Sequence, residues 1–185
     1  MPSETQTALF STTMPLEILN LTKNFMTDPV KILVKNEELT LDSIKQYYIP
    51  IEKEEWKMEL LLDLYGNLDM NQAIIFCNSK KRVIELTEIM KEKEFIVSAM
   101  HGDMDQIQRD MIMKEFRTGS IRVVITTDEF AREIDFQQLS LVINFELPLK
   151  KENYINRIGR AGRCPRRGTA INFVSPTDAR FIKEI

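Results

Sequence analysis

An α/β fold with a parallel sheet and helices on both faces is predicted from the order of the apolar segments. Short runs rich in β-branched residues alternate with longer segments of helical periodicity, which indicates repeated strand–helix–strand units. Most of the short runs are continuously apolar, as expected for strands that are covered on both faces. The predicted strands are Ala8–Phe10, Ile32–Val34, Gln46–Ile51, Ala73–Cys77, Ile96–Met100, Val123–Thr127, Leu141–Phe145 and Ala170–Val174.

Three helices between these strands are predicted from apolar spacing and from capping residues. Apolar side chains three and four residues apart share one face of a helix, and short polar side chains bind the free amides at its start. The first helix is marked by the apolar residues Trp56, Leu60, Leu61 and Leu64. The second is marked by Val83, Leu86 and Met90, with Ser79 as its N-cap. The third begins with a capping box of Asp105 and Gln108 and ends at Gly119.

The composition is that of a globular protein with one concentrated basic segment. The 185 residues are 43% apolar and 29% charged, with a formal net charge of −3. Residues 150–167 carry seven cations and one acid, so this segment has +6 and the rest of the chain −9. Such asymmetry favours one local anion-binding site over positive charge spread across the whole surface. Two distant cysteines and one histidine offer no metal-ligand spacing, so no metal site is expected.

The chain is predicted to contain parts of two domains. Residues 1–34 hold too few elements to bury a core, and we interpret them as the tail of a first domain. Residues 35–42 are polar and are predicted to be an interdomain linker, and residues 43–185 a second domain. The sequence has no signal-peptide pattern and no apolar run of about 18 residues. A cytoplasmic or nuclear location without a membrane is therefore expected.

The most distinctive motif is the arginine motif at residues 156–163, Asn-Arg-Ile-Gly-Arg-Ala-Gly-Arg, which Arg166 and Arg167 closely follow. Guanidinium groups match phosphate oxygens through paired hydrogen bonds, and small neighbours let them approach a ligand closely. The motif therefore predicts a phosphate-binding site. A solvated basic loop is the alternative interpretation.

Other short motifs occur in a fixed order before the arginine motif. They are Phe10–Pro15, Ile75–Ser79, His101–Asp103, Gln106–Arg109 and Thr126–Asp135. Together these motifs resemble the second RecA-like domain of the DEAD-box RNA helicases, and the first of them is similar to the Ser-Ala-Thr motif late in the first domain. The resemblance implies a RecA-like parallel sheet. Within the family, the chain is similar to the initiation factor 4A group through Phe25–Pro29, Glu54–Lys57, Ser98–Gln106 and Leu141–Asn144.

The resemblance implies that the arginine motif acts on ATP. Arg160 and Arg163 would be arginine fingers that stabilise charge on the transferred phosphoryl group, and Asp135 would bind the ATP ribose. ATP with Mg²⁺ would be held mainly by the first domain. The chain has no GxxxxGK[ST] loop and no Asp-Glu-Ala-Asp run, so we expect it to hydrolyse no ATP alone.

The resemblance also implies that single-stranded RNA binds through its backbone. Thr127 would contact a phosphate from a strand end, and Gln106 and Arg109 would do so from the start of a helix. Translation initiation scaffold proteins are the expected protein partners of a monomer. The residues that would couple the two domains are Ser11, Thr13, Arg132, Asn156 and Arg157.

Other interpretations stay open from the residues alone. Thr126 and Thr127 could simply end a strand, Arg109 could lie on a solvated helix face, Asp135 could cap a turn and His101 could be a structural loop residue. Three positions depart from the family pattern, since Glu133 replaces a glycine and would repel phosphate, Asn156 replaces histidine or glutamine, and Thr12 replaces a small alanine. A non-catalytic truncated paralogue that binds RNA or a helicase is therefore the alternative function. An unrelated flavodoxin-like binder would leave the arginine motif unexplained.

Overall fold

The computed structural model describes residues 5–11, 16–32, 43–67, 72–131, 139–161 and 167–184. The chain divides into two compact units, residues 1–40 and 41–185. Within its described residues the smaller unit has one helix, α1 (Leu16–Thr22). The predicted linker 35–42 lies outside the described residues, so the predicted domain boundaries stay predictions.

The larger unit is built on a parallel sheet of six strands, in the order β1-β6-β5-β2-β4-β3. This arrangement confirms the predicted α/β fold, and the last six predicted strands agree with the observed ones to within two residues at each end. The strands are β1 (Ile44–Pro50), β2 (Ala73–Phe76), β3 (Val97–Met100), β4 (Val123–Thr126), β5 (Leu141–Asn144) and β6 (Gly168–Val174). The helices are α2 (Trp56–Asn67), α3 (Lys80–Glu92), α4 (Gln106–Thr118), α5 (Lys151–Ile158) and α6 (Ala179–Glu184).

Helices cover both faces of this sheet. Leu61 of α2 and Leu86 of α3 pack with Ile75 on one face. Phe116 of α4 packs on the other face with Ile74, the neighbour of Ile75 in β2. Adjacent residues of a strand point to opposite faces, so a strand covered on both sides must be apolar throughout. All four residues of β2 are buried, as are those of β4 and β5.

The predicted helix ends are confirmed by their hydrogen bonds. The Ser79 hydroxyl accepts a bond of 3.2 Å from the Arg82 amide at the start of α3. Asp105 and Gln108 form a reciprocal capping box at the start of α4. Gly119 ends α4 with a φ of 80°, a left-handed conformation that favours glycine.

One predicted strand is wrong. Residues 5–11, which include Ala8–Phe10, form no regular structure, and the Phe10 side chain is 91% exposed. A strand is stabilised by backbone bonds to a neighbouring strand, and all the strands among the described residues belong to the larger unit. Ile32 is not in a strand either, and the rest of the prediction Ile32–Val34 lies outside the described residues.

The sheet register brings the ends of four strands to one level. Thr126 pairs with Met100 on one side and with Phe76 on the other. Phe76 also pairs with Asn144, which pairs in turn with Asn172. The loops that follow β3, β4, β2 and β5 therefore start side by side. In open α/β sheets this carboxyl edge is the usual place for a ligand.

Candidate functional site

The carboxyl edge of the sheet carries two regions with different chemistry. We call the exposed one the strand-end surface, and it comprises Gly102, Gln106, Arg109, Thr127 and Glu129. We call the other the buried polar network, because Arg157 at its centre is fully buried. It comprises Asn144, Tyr154, Arg157 and Asn172, which are buried, together with the half-buried Asp128 and the exposed Asn78. The motifs contribute residues to both regions, so sequence position alone does not separate them.

Thr126 and Thr127 are adjacent in the chain but have different environments. Thr126 is fully buried, and its hydroxyl donates a bond of 2.9 Å to the carbonyl of Met100 in β3. Thr127 is half-buried and begins the 3₁₀ turn Asp128–Phe130 without a side-chain capping bond. Thr126 therefore links two strands, while Thr127 lies at the end of β4, at the edge that is the usual place for a ligand in an open α/β sheet.

The start of α4 holds Gln106 and Arg109 in a fixed arrangement. The Arg109 guanidinium donates bonds of 2.7 Å to the side chain of Gln106 and 2.8 Å to the carbonyl of Met104. Its central carbon lies 5.2 Å from the ring centre of Phe130, in the turn after β4. A guanidinium on an aromatic ring is held by a cation–π contact. This contact links the start of α4 to the loop that contains Thr127.

Arg157 is the centre of the buried polar network. Its side chain is fully buried, and its Nε donates a bond of 2.5 Å to the Asp128 carboxylate. One terminal nitrogen donates to the Glu146 carbonyl at 2.6 Å, and the other donates to the Asn78 side chain at 2.7 Å. A buried charge requires a partner and several hydrogen bonds, and Arg157 has both within the larger unit.

The network continues through two asparagines towards the edge of the sheet. Asn144 accepts a bond of 3.3 Å from Arg157 and donates one of 2.8 Å to Asn172. Asn172 donates to the Tyr154 hydroxyl at 3.2 Å, and Tyr154 donates to Gln46 of β1 at 2.6 Å. Burial raises the pKa of Tyr154, so this hydroxyl stays protonated. The chain of bonds fixes α5 against three strands.

A cavity of about 290 Å³ lies between the turn after β4 and α5. Its lining residues are Asp128, Glu129, Ala131, Asn153 and Asn156. Asp128 accepts a second bond, of 2.9 Å, from the Asn153 side chain, in addition to its bond from Arg157. Arg160 follows α5, is half-buried and donates a bond of 3.1 Å to the backbone carbonyl of Asn156. The structure therefore brings Arg160 and Asn156 together beside the turn after β4.

Several predicted site residues cannot be placed beside these two regions. Arg163, Asp135, Arg132 and Thr13 lie outside the described residues, as does Glu133. Ser11 is exposed and belongs to the smaller unit. The carboxylate that pairs with Arg157 among the described residues is that of Asp128.

A charged cluster at the starts of α2 and α3 was not predicted from the sequence. The buried ammonium of Lys57 lies 2.9 Å from the Glu54 carboxylate, which also accepts a bond of 2.7 Å from Arg82. The Arg82 guanidinium lies 5.2 Å from the ring centre of Phe145, which follows β5. Beside this cluster, burial raises the pKa of the Cys77 thiol and makes it a poor nucleophile. The residue types and contacts indicate a structural role.

The asparagines of the buried polar network also had no predicted role. Asn144 and Asn172 lie within strands whose neighbouring residues are apolar, and both side chains are fully buried. A polar residue inside a continuously apolar strand is the signal that could have revealed them, because its burial requires a hydrogen-bond partner. Within the described residues, no cluster of three or more side chains is suited to bind a metal, and no helix could span a membrane.

The six-stranded parallel sheet with helices on both faces is a RecA-like fold. Residues 56–165 match the family described as the helicase conserved C-terminal domain, and the chain belongs to this family. Among the curated proteins, all 185 residues align at 58% identity with the ATP-dependent RNA helicase eIF4A of Pyricularia oryzae. They align at 57% identity with eukaryotic initiation factor 4A of Caenorhabditis elegans.

The chain spans about half the length of these relatives, 47% and 46% respectively. A solved structure of Dbp5 from S. cerevisiae bound to RNA and ADP BeF3 is also similar. It matches with a TM-score of 0.91 at 34% identity, over 100% of this chain and 49% of Dbp5. These matches confirm the resemblance to the DEAD-box helicases and, within them, to initiation factor 4A.

Proposed function

We propose that the chain is the C-terminal part of an ATP-dependent RNA helicase that binds the RNA backbone and contributes arginine fingers to ATP. The identity of 58% with eIF4A along the whole chain supports this function, and the coverage of 47% of that relative limits the chain to one part of it. Mg²⁺ and the phosphates of ATP are held by a first domain, since the 185 residues contain no phosphate loop.

The observation that carries the RNA proposal is the meeting of two separate motifs at the strand-end surface. Thr127 follows β4, and Arg109 of α4 contacts Phe130 in the same loop at 5.2 Å. A threonine hydroxyl and a guanidinium both donate hydrogen bonds to phosphate oxygens. Gln106 adds an exposed amide at the start of α4, where the helix dipole favours an anion. Such contacts bind the backbone without reading the bases.

The ATP proposal rests on the arginine motif after α5. Arg160 and Arg163 stabilise negative charge on the transferred phosphoryl group, and Asp135 accepts a hydrogen bond from the ribose. Arg160 donates a bond to the backbone carbonyl of Asn156, a residue that lines the cavity after β4. Ser11, Thr13, Arg132 and Asn156 are proposed to couple this domain to the first one, and the buried Arg157 is proposed to support that coupling from within the domain, through its bond to Asp128.

The remaining parts of the proposal concern partners and location. The protein acts as a monomer in translation initiation, where scaffold proteins hold it on RNA. Its proposed location is the cytoplasm, and a nuclear location is the alternative. The role in translation initiation is supported by the identity of 57% with eukaryotic initiation factor 4A of Caenorhabditis elegans.

RNA binding is tested by titrating the 185-residue chain with a labelled single-stranded oligouridylate at several salt concentrations. Binding should weaken as salt rises, because phosphate contacts release counterions. Arg109→Ala should lower the affinity and reduce the slope of log affinity against log salt by about 0.7. Arg117→Ala is the matched control, since Arg117 is an exposed arginine in the last turn of the same helix. Binding that ignores salt, or equal losses in both variants, would contradict the proposed contact.

ATP hydrolysis is tested on the same purified chain. We expect phosphate release at background level with or without RNA, because no group in the sequence forms a phosphate loop. Adding a separately expressed first domain should restore weak RNA-stimulated hydrolysis, and Arg163→Ala should abolish it. Steady phosphate release by the chain alone that Arg163→Ala removes would contradict the proposed division of labour.

A further inference from the structure

The turn after β4 presents two adjacent carboxylates in opposite environments. Asp128 accepts bonds of 2.5 Å from Arg157 and 2.9 Å from Asn153, so its charge is compensated. Glu129 is exposed and makes no hydrogen bond or ion pair with any residue of the described part of the chain. Among the described residues, the strand-end surface therefore carries one carboxylate that forms no ion pair.

The Glu129 carboxylate lies against the backbone of the loop after β3. A Cβ atom built on Gly102 would be 3.2 Å from Oε2 of Glu129, so the carboxylate covers the Cα of this glycine. Gly102 lies four residues before the start of α4, and Thr127 lies two residues before Glu129. The carboxylate is thus placed in the surface that the proposed RNA contacts form.

Phe130 restricts where the Glu129 backbone can go. Its ring is buried beneath the Arg109 guanidinium, at 5.2 Å from the central carbon. The amides of Phe130 and Ala131 donate to the carbonyls of Thr127 and Asp128, at 3.3 and 3.1 Å, which closes the turn. The backbone of Glu129 is therefore held at this surface by the closed turn and by the contact between Phe130 and Arg109.

We propose that Glu129 weakens the binding of RNA at the strand-end surface and so promotes the release of the RNA backbone. This inference rests on the proposed contact of Thr127, Gln106 and Arg109 with phosphate. A phosphate that approaches Thr127 meets a like charge two residues along the turn, and repulsion at this range reduces affinity by about fivefold in water. The surface thus combines hydrogen-bond donors that attract phosphate with the Glu129 carboxylate, which repels it.

The test compares Glu129→Gln with Glu88→Gln in the full 185-residue chain. Glutamine keeps the shape of the side chain and removes its charge, so a steric effect is excluded. Glu88 is an exposed residue of α3, which packs on the opposite face of the sheet from α4, so its variant controls for the change in net charge. Thermal unfolding of each variant checks that the fold is intact.

The probe is a labelled single-stranded oligouridylate, titrated at low and at high salt. We expect Glu129→Gln to bind about fivefold more tightly at low salt, and the gain to shrink as salt screens the repulsion. Glu88→Gln should bind as the parent does. An equal gain in both variants, no gain in Glu129→Gln, or a gain that ignores salt would overturn the inference while the proposed function stands. Absence of RNA binding by the parent and both variants would overturn both.

Discussion

The buried polar network and the strand-end surface lie at the same edge of the sheet and use the same residue types for different purposes. Arg157 is fully buried and bonded to Asp128, Asn78 and the backbone of Glu146. Arg109 is half-buried, and its contacts hold it at the start of α4. The difference teaches that one arginine of the arginine motif can be a structural element, and that only its burial and its bonds reveal this.

The largest effect is expected when the centre of the buried polar network is removed. Arg157→Leu leaves the Asp128 carboxylate without its cation and should lower the free energy of unfolding by about 3 kcal/mol. Urea denaturation measures this loss. Arg167→Ala is the control, because Arg167 follows the same motif but is exposed, and it should change stability by less than about 0.5 kcal/mol. Similar stability of the two variants would contradict a structural role for Arg157.

A smaller loss is expected further along the network. Asn172→Leu removes the acceptor of Asn144 and the donor to the Tyr154 hydroxyl, which leaves polar groups buried without partners. The free energy of unfolding should fall by about 2 kcal/mol in urea denaturation. If Asn172→Leu were as stable as the parent, the apolar side chain would have replaced the bonds without cost, and the network would not hold the sheet to α5.

The stability of the helix that carries Gln106 and Arg109 of the strand-end surface should depend on a local cap rather than on long-range hydrogen bonds. Asp105→Ala removes the capping box of α4, which carries Gln106 and Arg109, and should lower the free energy of unfolding by about 1 kcal/mol. Lys114→Ala, at an exposed position of the same helix, should have an effect within about 0.5 kcal/mol. A loss for Asp105→Ala as large as that for Arg157→Leu would remove the contrast between the two regions.

The sequence predicts the local features of this domain better than its contacts. The capping box at Asp105 and the stop at Gly119 depend on neighbouring residues only, and both are confirmed. The strand Ala8–Phe10 is wrong because a strand depends on a partner that composition does not reveal. The smaller unit therefore could not be predicted from its short apolar runs.

In the candidate site too, the sequence does not predict the contacts between distant residues. Arg157 and Arg160 have the same residue type in the same motif, yet one is fully buried and the other half-exposed. Helical spacing puts Arg157 and Tyr154 on one face of α5. Their partners Asn144 and Asn172 belong to the strands β5 and β6, which helical spacing does not identify. The charge of Glu129 becomes relevant only because the fold places it over Gly102. These contacts arise from tertiary packing.

The most direct test of the account deletes one hydroxyl group from each region and measures RNA affinity and stability together. Thr127→Val should lower the affinity for a single-stranded oligouridylate by about tenfold, the loss expected for one hydrogen bond to a charged group, and leave the free energy of unfolding within about 0.5 kcal/mol of the parent. Tyr154→Phe should lower that free energy by about 1 kcal/mol and leave the affinity unchanged, because its hydroxyl bonds only within the buried polar network and to β1. Loss of affinity in Tyr154→Phe, with none in Thr127→Val, would contradict the assignment of binding to the strand-end surface.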